Sequence, residues 1–433
     1  MSTSTAKPKD SEFLLQNYGR FDLTIARGEG SRVWDDTGRE YLDFGAGIAV
    51  CSLGHSHPAI VKAISYQASQ ILHCSNLYRS PSQESYARAL SEQVVGHPGK
   101  SVFVNSGAEA NETLIKLARR FGTVTPRKDG EPRHGIVTFE GSFHGRTFAA
   151  ISATGQAKIQ EGFGPLVPGF THVPFNDVDA LNAAIDDNTC AILLEPIQGE
   201  GGIHTASPEL LASCAALAAK HNLLVLLDEV QCGFGRIGNL AGWRAILDAA
   251  DQDPESFVPH AVSWAKGMGG GYPIGAAWIS NQEVQTTSGG VPLSSLLGPG
   301  SHGTTYGGGP VAMAVASAVL ETIQDEGLID HATGMGRRAI GLIEAIGSPA
   351  VQTVRGMGLM LGIALEPDAF KPHLGRGQVP SIYLVQKLMD AGLLSVPAGP
   401  NVVRWLPAMN VSQSELDEAV SILDSTLAEI FGE

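Results

Sequence analysis

The stretch PELLASCAALAAKHNLLVLLD, residues 208–228, decides the fold. Its first part, 208–220, has the spacing of a helix, and its last part, 223–228, is an unbroken apolar run that ends on Asp228. The same kind of run recurs as SVFVN (101–105), GIVTF (135–139), AILLE (191–195), HAVSW (260–264) and GAAWI (275–279). Continuously apolar strands alternating with helices predict an α/β domain built on a mainly parallel sheet. In such sheets ligands bind beyond the carboxyl ends of the strands, so the polar residues found there are the ones to read.

The chain's overall properties narrow its chemistry. It has 433 residues, enough for a large core and more than one domain. With 44 acidic against 29 basic side chains, the formal net charge is −15, which argues against nucleic acid or an anionic membrane surface as the main partner. No apolar run approaches the roughly 20 residues that span a bilayer. The N-terminus, MSTSTAKPKDSEF, is polar, lacks the centre of a signal peptide and reads as a loose arm. Cys51, Cys74, Cys190, Cys214 and Cys232 are scattered, form no Cys-x-x-Cys pair and fit a reducing cytoplasm. His55-x-His57 lacks a carboxylate or third histidine at ligand spacing, so no metal site is expected.

Four strand ends carry polar motifs. In VNSGAEANETLIKLARRFG, Ser106 and Glu109 have capping-box spacing, Leu114, Ile115, Leu117, Ala118 and Phe121 form an apolar face, and Gly122 suits a stop. Small Gly107 and Ala108 leave the first-turn N–H groups open to an anion, although a capped helix alone would read the same way. FEGSFHGRT offers Phe143 as a stacking face and Arg146 as a carboxylate binder, or simply a loop anchor. LLVLLDEVQCGFGR places Asp228 at the mouth of a strand, where a buried acid needs a cation or a structural arginine, with Gln231 three residues on. In SWAKGMGGGYPIG, Lys266 precedes its glycines. A Walker lysine follows them, and neither this run nor GMGLMLG (356–362) has dinucleotide-binding spacing.

A strand-end lysine, a neighbouring aspartate and an anion-binding helix start are together what pyridoxal phosphate requires. Its aldehyde condenses with a lysine, its ring N–H faces a carboxylate, and its phosphate takes N–H donors. NSGAEANE, FHGRT, EPIQGEGG, DEVQCGFGR, AKGMGGGYPIGA, HGTTYGGGP and VRGMGLMLGI, in this order, resemble the signature blocks of class III aminotransferases. The likeness covers roughly residues 15–430 and implies the aspartate-aminotransferase fold (pyridoxal-phosphate fold type I). Within the class, YLDFGAGIAVCSLGHSHP, HCSNLY and VPAGPNVVRWLPAMN are most similar to the branch acting on N-acetylornithine.

The resemblance implies roles residue by residue. Lys266 is the covalent lysine and proton carrier, Asp228 pairs with the ring nitrogen, Gln231 bonds the phenolic oxygen, and Phe143 stacks on the ring. Gly107 and Ala108 hold the phosphate with Ser106 capping their helix, and Thr305 reaches the phosphate from the other subunit of an obligate homodimer. Arg146 takes the carboxylate far from the reacting amine. Arg404 takes the α-carboxylate of glutamate or 2-oxoglutarate, and Glu200 neutralises Arg404 when acetylornithine reacts. Thr304 touches substrate, and Glu195 supports the site.

Ile48 stands where ornithine aminotransferases carry a tyrosine, which disfavours ornithine and suits an acylated amine or a simpler ω-amino acid. Succinylornithine and 4-aminobutyrate remain alternatives, as do a racemase and a non-catalytic homologue of this fold. The sequence departs from the class at Gly309, usually asparagine, at Cys232, usually threonine, and in longer segments near 241–260 and 287–300. The expected organisation is an N-terminal segment of a small domain (1–49), a large cofactor domain (50–310) and a C-terminal small α+β domain (311–433). The tail should end in a helix with Leu416, Val420, Leu423 and Leu427 facing inward.

Overall fold

The structure, a computed structural model, describes residues 13–432. The arm expected at the N-terminus lies outside them, apart from Phe13. Among the described residues no helix is long and apolar enough to cross a membrane.

Seven strands form the central sheet, in the spatial order Gly99–Val104, Gly275–Ser280, Ala261–Trp264, Leu224–Asp228, Thr189–Leu194, Gly135–Phe139, Phe170–Val173. Gly275–Ser280 runs antiparallel to both neighbours, and the other pairings are parallel. All six apolar runs of the sequence are strands here. Leu224–Asp228 is buried at every position, as expected of a central strand covered on both faces. Each of its leucines contributes about 1.5–3 kcal/mol by leaving water. The helix before it, Pro208–His221, starts at Ser207, whose side chain accepts from Leu210 N, and ends at Asn222 in the left-handed region.

The helix that follows the first sheet strand, Gly107–Val124, corrects two details. Gly122 does not end it. That glycine is buried inside the helix, and a Cβ there would lie 2.0 Å from the Arg133 carbonyl oxygen, so close packing requires the residue. The capping exchange is also displaced: Ser106 Oγ accepts from Glu109 N at 3.2 Å, but the Glu109 carboxylate accepts from Asn105 N at 2.6 Å.

Two smaller sheets flank the central one. Ile25–Glu29, Arg32–Asp35 and Glu40–Asp43 form a meander, and Leu393–Leu394 adds to it in parallel. Near the C-terminus the order is Val351–Met357, Met360–Leu365, Val402–Trp405, Val396–Pro397. The final helix, Gln413–Phe431, opens with a complete Ser412/Glu415 capping box, and Leu416, Val420, Leu423 and Leu427 are buried. Gly309 is the N-cap of the helix Pro310–Asp325 and supplies no side-chain bond to it, so asparagine's usual capping contribution is missing there. Cys232 is fully buried. The two longer segments form a helix, Gly242–Ala249, and a hairpin of Glu283–Thr286 with Gly289–Pro292.

Candidate active site

The strand register places the functional groups. Asp228 is level with Ser263 on the adjacent strand, and Leu227 with Leu194 on the other side. The residues just past these strand ends, Lys266 and Glu195, therefore flank Asp228. The end of Gly99–Val104 adds Ser106, Gly107 and Ala108, and the loop after Gly135–Phe139 adds Phe143 and Arg146. With Gln231, all of these line one cavity of about 450 Å³.

Asp228 is almost fully buried and heavily hydrogen-bonded. Its Oδ2 faces His144 Nδ1 at 2.8 Å and accepts from Asn111 Nδ2 at 2.6 Å, while Oδ1 accepts from Val230 N at 3.0 Å. Asn111 is fixed in turn, because Ser263 Oγ donates to its Oδ1 at 2.6 Å. The opposite ring nitrogen of His144 is buried with no partner among the described residues, so donating the Nδ1–H to Asp228 leaves no buried N–H unsatisfied on that ring. Oδ1, with one donor, keeps capacity for a second. Sequence reasoning missed His144, Asn111 and Ser263, although each lies within a motif read for its neighbour.

Glu195 accepts from Phe143 N at 2.8 Å and from Gly199 N at 3.0 Å. Burial pushes its carboxyl up to about 7, and the nearby Asp228 charge adds to the rise. Burial lowers the Lys266 amine below the ordinary lysine value; Glu200 opposes this and Arg404 reinforces it. Lys266 has a φ of +43°, left-handed and unusual for a lysine.

Arg404 sits on Val402–Trp405 and is 1% exposed. Its Nη1 donates to Glu200 Oε1 at 2.7 Å, to Gln231 Oε1 at 2.7 Å and to the Gly199 carbonyl at 2.8 Å. Burial alone would raise the Glu200 carboxyl, but the Arg404 guanidinium outweighs it and holds the pKa below the ordinary value. Because the Gln231 oxygen accepts from Arg404, its amide nitrogen is the donor, shared between the Glu200 carboxylate and a ligand in the cavity. Arg404 and Glu200 lie beside the cavity rather than in its wall, joined to it through Gln231.

Thr304 and Thr305 do not line this cavity. Thr304 Oγ1 accepts from Asn105 Nδ2 at 2.9 Å, and Thr305 is exposed.

The residues fit pyridoxal phosphate. A buried carboxylate with spare acceptor capacity, a lysine and a phenylalanine surround one cavity with a helix N-terminus. Gly107 and Ala108 are the first two residues of that helix, so their N–H groups have no intrahelical acceptor. A Cβ on Gly107 would lie 2.7 Å from Val230 Cγ1, so only glycine fits this close approach.

Sequence comparison agrees: the family profile described as aminotransferase class-III matches residues 14–427. The chain belongs to this family, whose cofactor is pyridoxal 5′-phosphate. It is 42% identical to an acetylornithine aminotransferase of Caldanaerobacter subterraneus subsp. tengcongensis, over 97% of this chain and 98% of that one. Among solved structures, ornithine aminotransferase from Toxoplasma gondii, described with partial pyridoxal-phosphate occupancy, aligns with a TM-score of 0.84 at 29% identity, covering 96% of this chain and 92% of that one. N-acetylornithine aminotransferase from Stenotrophomonas maltophilia aligns with a TM-score of 0.76 at 31% identity, covering 96% and 98%.

Proposed function

We propose that this chain transfers the δ-amino group of N2-acetyl-L-ornithine to 2-oxoglutarate, giving N-acetyl-L-glutamate 5-semialdehyde and L-glutamate, a step of arginine biosynthesis. The observation that carries the proposal is the pair of buried Arg404 with half-buried Glu200, at 2.7 Å beside the Lys266 cavity. An enzyme that accepts two amino donors in turn must bind an α-carboxylate next to the reacting carbon in one half-reaction and not in the other. Arg404 serves glutamate. Glu200 keeps Arg404 from being a buried unpaired charge when acetylornithine reacts.

Pyridoxal phosphate supplies the electron-accepting ring and the aldehyde that takes up and returns the amino group. Lys266 holds it covalently at rest; afterwards its Nζ takes and returns the proton at the carbon bearing the reacting amine. Asp228, with Oδ2 held by His144 and Asn111, would offer Oδ1 to the ring N–H. Gln231 donates to the phenolic oxygen, Phe143 stacks on the ring, and the Gly107 and Ala108 N–H groups hold the phosphate in the helix capped by Ser106. Arg146 would take the distant carboxylate.

We further propose a homodimer in which Thr305 completes the phosphate site of the second copy. Exposed Leu72, Leu77, Tyr78 and Tyr306 support this. Asn76 Nδ2 donates to the Thr304 and Gly307 carbonyls, which ties the 72–78 segment to the threonine loop. A second copy covering these side chains would also cover Thr305. Residues 50–310 form the large domain in this reading, and residues 1–49 and 311–433 the smaller one. The shared sheet of Glu40–Asp43 with Leu393–Leu394 supports grouping the two ends.

Single half-turnovers with acetylornithine, succinylornithine, ornithine and 4-aminobutyrate test the substrate, and acetylornithine is expected to be fastest. If 4-aminobutyrate wins, the assignment is wrong. Glu200→Ala is expected to raise the ratio of glutamate to acetylornithine half-reaction rates by roughly tenfold, the equivalent of about 1.4 kcal/mol. An unchanged ratio would count against the carboxylate switch.

A further inference from the structure

Residues Ala46–Ala49 form a full left-handed turn. The φ angles are +44° at Ala46, +66° at Gly47, +65° at Ile48 and +61° at Ala49. The amides of Ile48 and Ala49 donate to the Gly45 carbonyl at 2.7 and 3.1 Å, and those of Val50 and Cys51 to the Ala46 carbonyl at 2.8 and 2.9 Å. Residues with a side chain visit this region singly, because Cβ crowds the following carbonyl; of the four, only Gly47 is free of that cost. Three such residues within four positions persist only where their surroundings over-determine them.

The surroundings are explicit. Asp43 Oδ1 accepts from the amides of Gly45 and Ala46, both at 2.9 Å, and its Oδ2 is 2.8 Å from His55 Nε2. On either side of the turn, the Phe44 carbonyl accepts from Leu406 N at 2.6 Å and the Ser52 carbonyl from Met409 N at 2.7 Å. The turn thus hangs between two fixed points.

What it is tied to is the lysine loop. Ser52 Oγ donates to the Gly267 carbonyl at 2.7 Å, one residue past Lys266. A Cβ on Gly267 would stand 3.5 Å from the Ala49 carbonyl oxygen and 3.6 Å from Ser52 Cβ, so the turn and the lysine loop are neighbours at ordinary van der Waals distance. Lys266 shares the left-handed φ, and Val50, next after the turn, lines the cavity.

We propose that the left-handed turn Ala46–Ala49, clamped by Asp43 and strapped through Ser52 to Gly267, sets where the Lys266 amine reaches in the cavity. Asp43 and Ser52 are then positioning residues that act through Lys266. The inference rests on Lys266 being the covalent lysine.

The test uses full-length holoenzyme without substrate and reads the pH midpoint of its visible absorption band, pyridoxal-phosphate affinity and the melting temperature of the cofactor-free form. Ser52→Ala, which cuts the strap, is expected to move the midpoint by about 0.5–1 pH unit and weaken cofactor binding by about tenfold. Asp43→Asn, which weakens the clamp from the other side, should move the midpoint in the same direction and is decisive if Ser52→Ala does not fold. Ala49→Gly suits the same backbone; it should keep the midpoint and preserve or raise the melting temperature. Melting temperatures that fall in Ser52→Ala and Asp43→Asn while both midpoints stay at the wild-type value overturn the proposal and make the turn a folding element only. A band that survives in Lys266→Ala instead overturns the lysine assignment, and this inference with it.

Discussion

Lys266→Ala is expected to lose the visible band of the resting enzyme and to lower transamination by at least about 10⁴-fold, the upper range for removing one acid–base group. Among the described residues Lys266 is the only lysine in the wall of the cavity, which it shares with Asp228 and Gln231. Its burial lowers the amine's pKa, so more of it is the free base near neutral pH than for a surface lysine. Removing it takes away the covalent anchor and the proton carrier together. The cavity wall otherwise stays intact, so a small external amine such as methylamine should restore part of the proton transfer. Spectra with added pyridoxal phosphate and single-turnover rates, with and without methylamine, check both effects. Wild-type protein that binds no pyridoxal phosphate, or a Lys266→Ala variant within tenfold of wild type, would sink the assignment.

The parts of the fold legible in the sequence are those where burial acts on both faces. Thr189–Leu194 and Leu224–Asp228 are buried at every position, and an unbroken apolar run cannot be read as a loop. Phe170–Val173 went unread because it is an edge strand with the half-polar sequence FTHV, buried fully at one position only. The meander Ile25–Glu29, Arg32–Asp35 and Glu40–Asp43 is short and carries charges in each strand, so neither period stands out. Gly122 misled because glycine marks helix ends through its backbone freedom, whereas here it is needed for lack of a side chain. The left-handed turn at Ala46–Ala49 left no signal, since three of its four residues are types that avoid that conformation.

The site divides in the same way. Residues that meet a ligand lie at strand ends, where sidedness follows from the parallel sheet. His144 and Asn111, which share the cavity wall, instead hold the Asp228 carboxylate, and Ser263 holds Asn111. Their roles depend on contacts across 84, 117 and 152 positions of chain, which only the packing of a helix, a loop and two strands brings together. Glu200, in a loop, and Arg404, on the small C-terminal sheet, meet across 204 positions through the same kind of tertiary packing.

Arg404→Met should separate the two half-reactions. The change keeps an unbranched side chain in a site that is 1% exposed and removes the charge. Glutamate then loses the partner of its α-carboxylate; truncating one member of a buried charge pair costs about 2–5 kcal/mol, so kcat/KM for glutamate should fall by about 30- to 5,000-fold. Acetylornithine presents no carboxylate at the reacting end and should lose far less, chiefly through disturbance of Glu200 and Gln231, which both accept from Arg404. The pH dependence should shift as well, with a definite sign. Arg404 lowers the Lys266 pKa and Glu200 raises it, so removing the arginine leaves only the raising influence of that pair. Any step that needs the free Lys266 amine should then require higher pH, and the acidic limb of its rate profile should move upward. Stopped-flow half-reactions with each donor across a pH series measure both effects. Equal losses for glutamate and acetylornithine would mean that Arg404 holds the site's structure and does not select between substrates, and the reading of Glu200 as its alternate partner would fall with it.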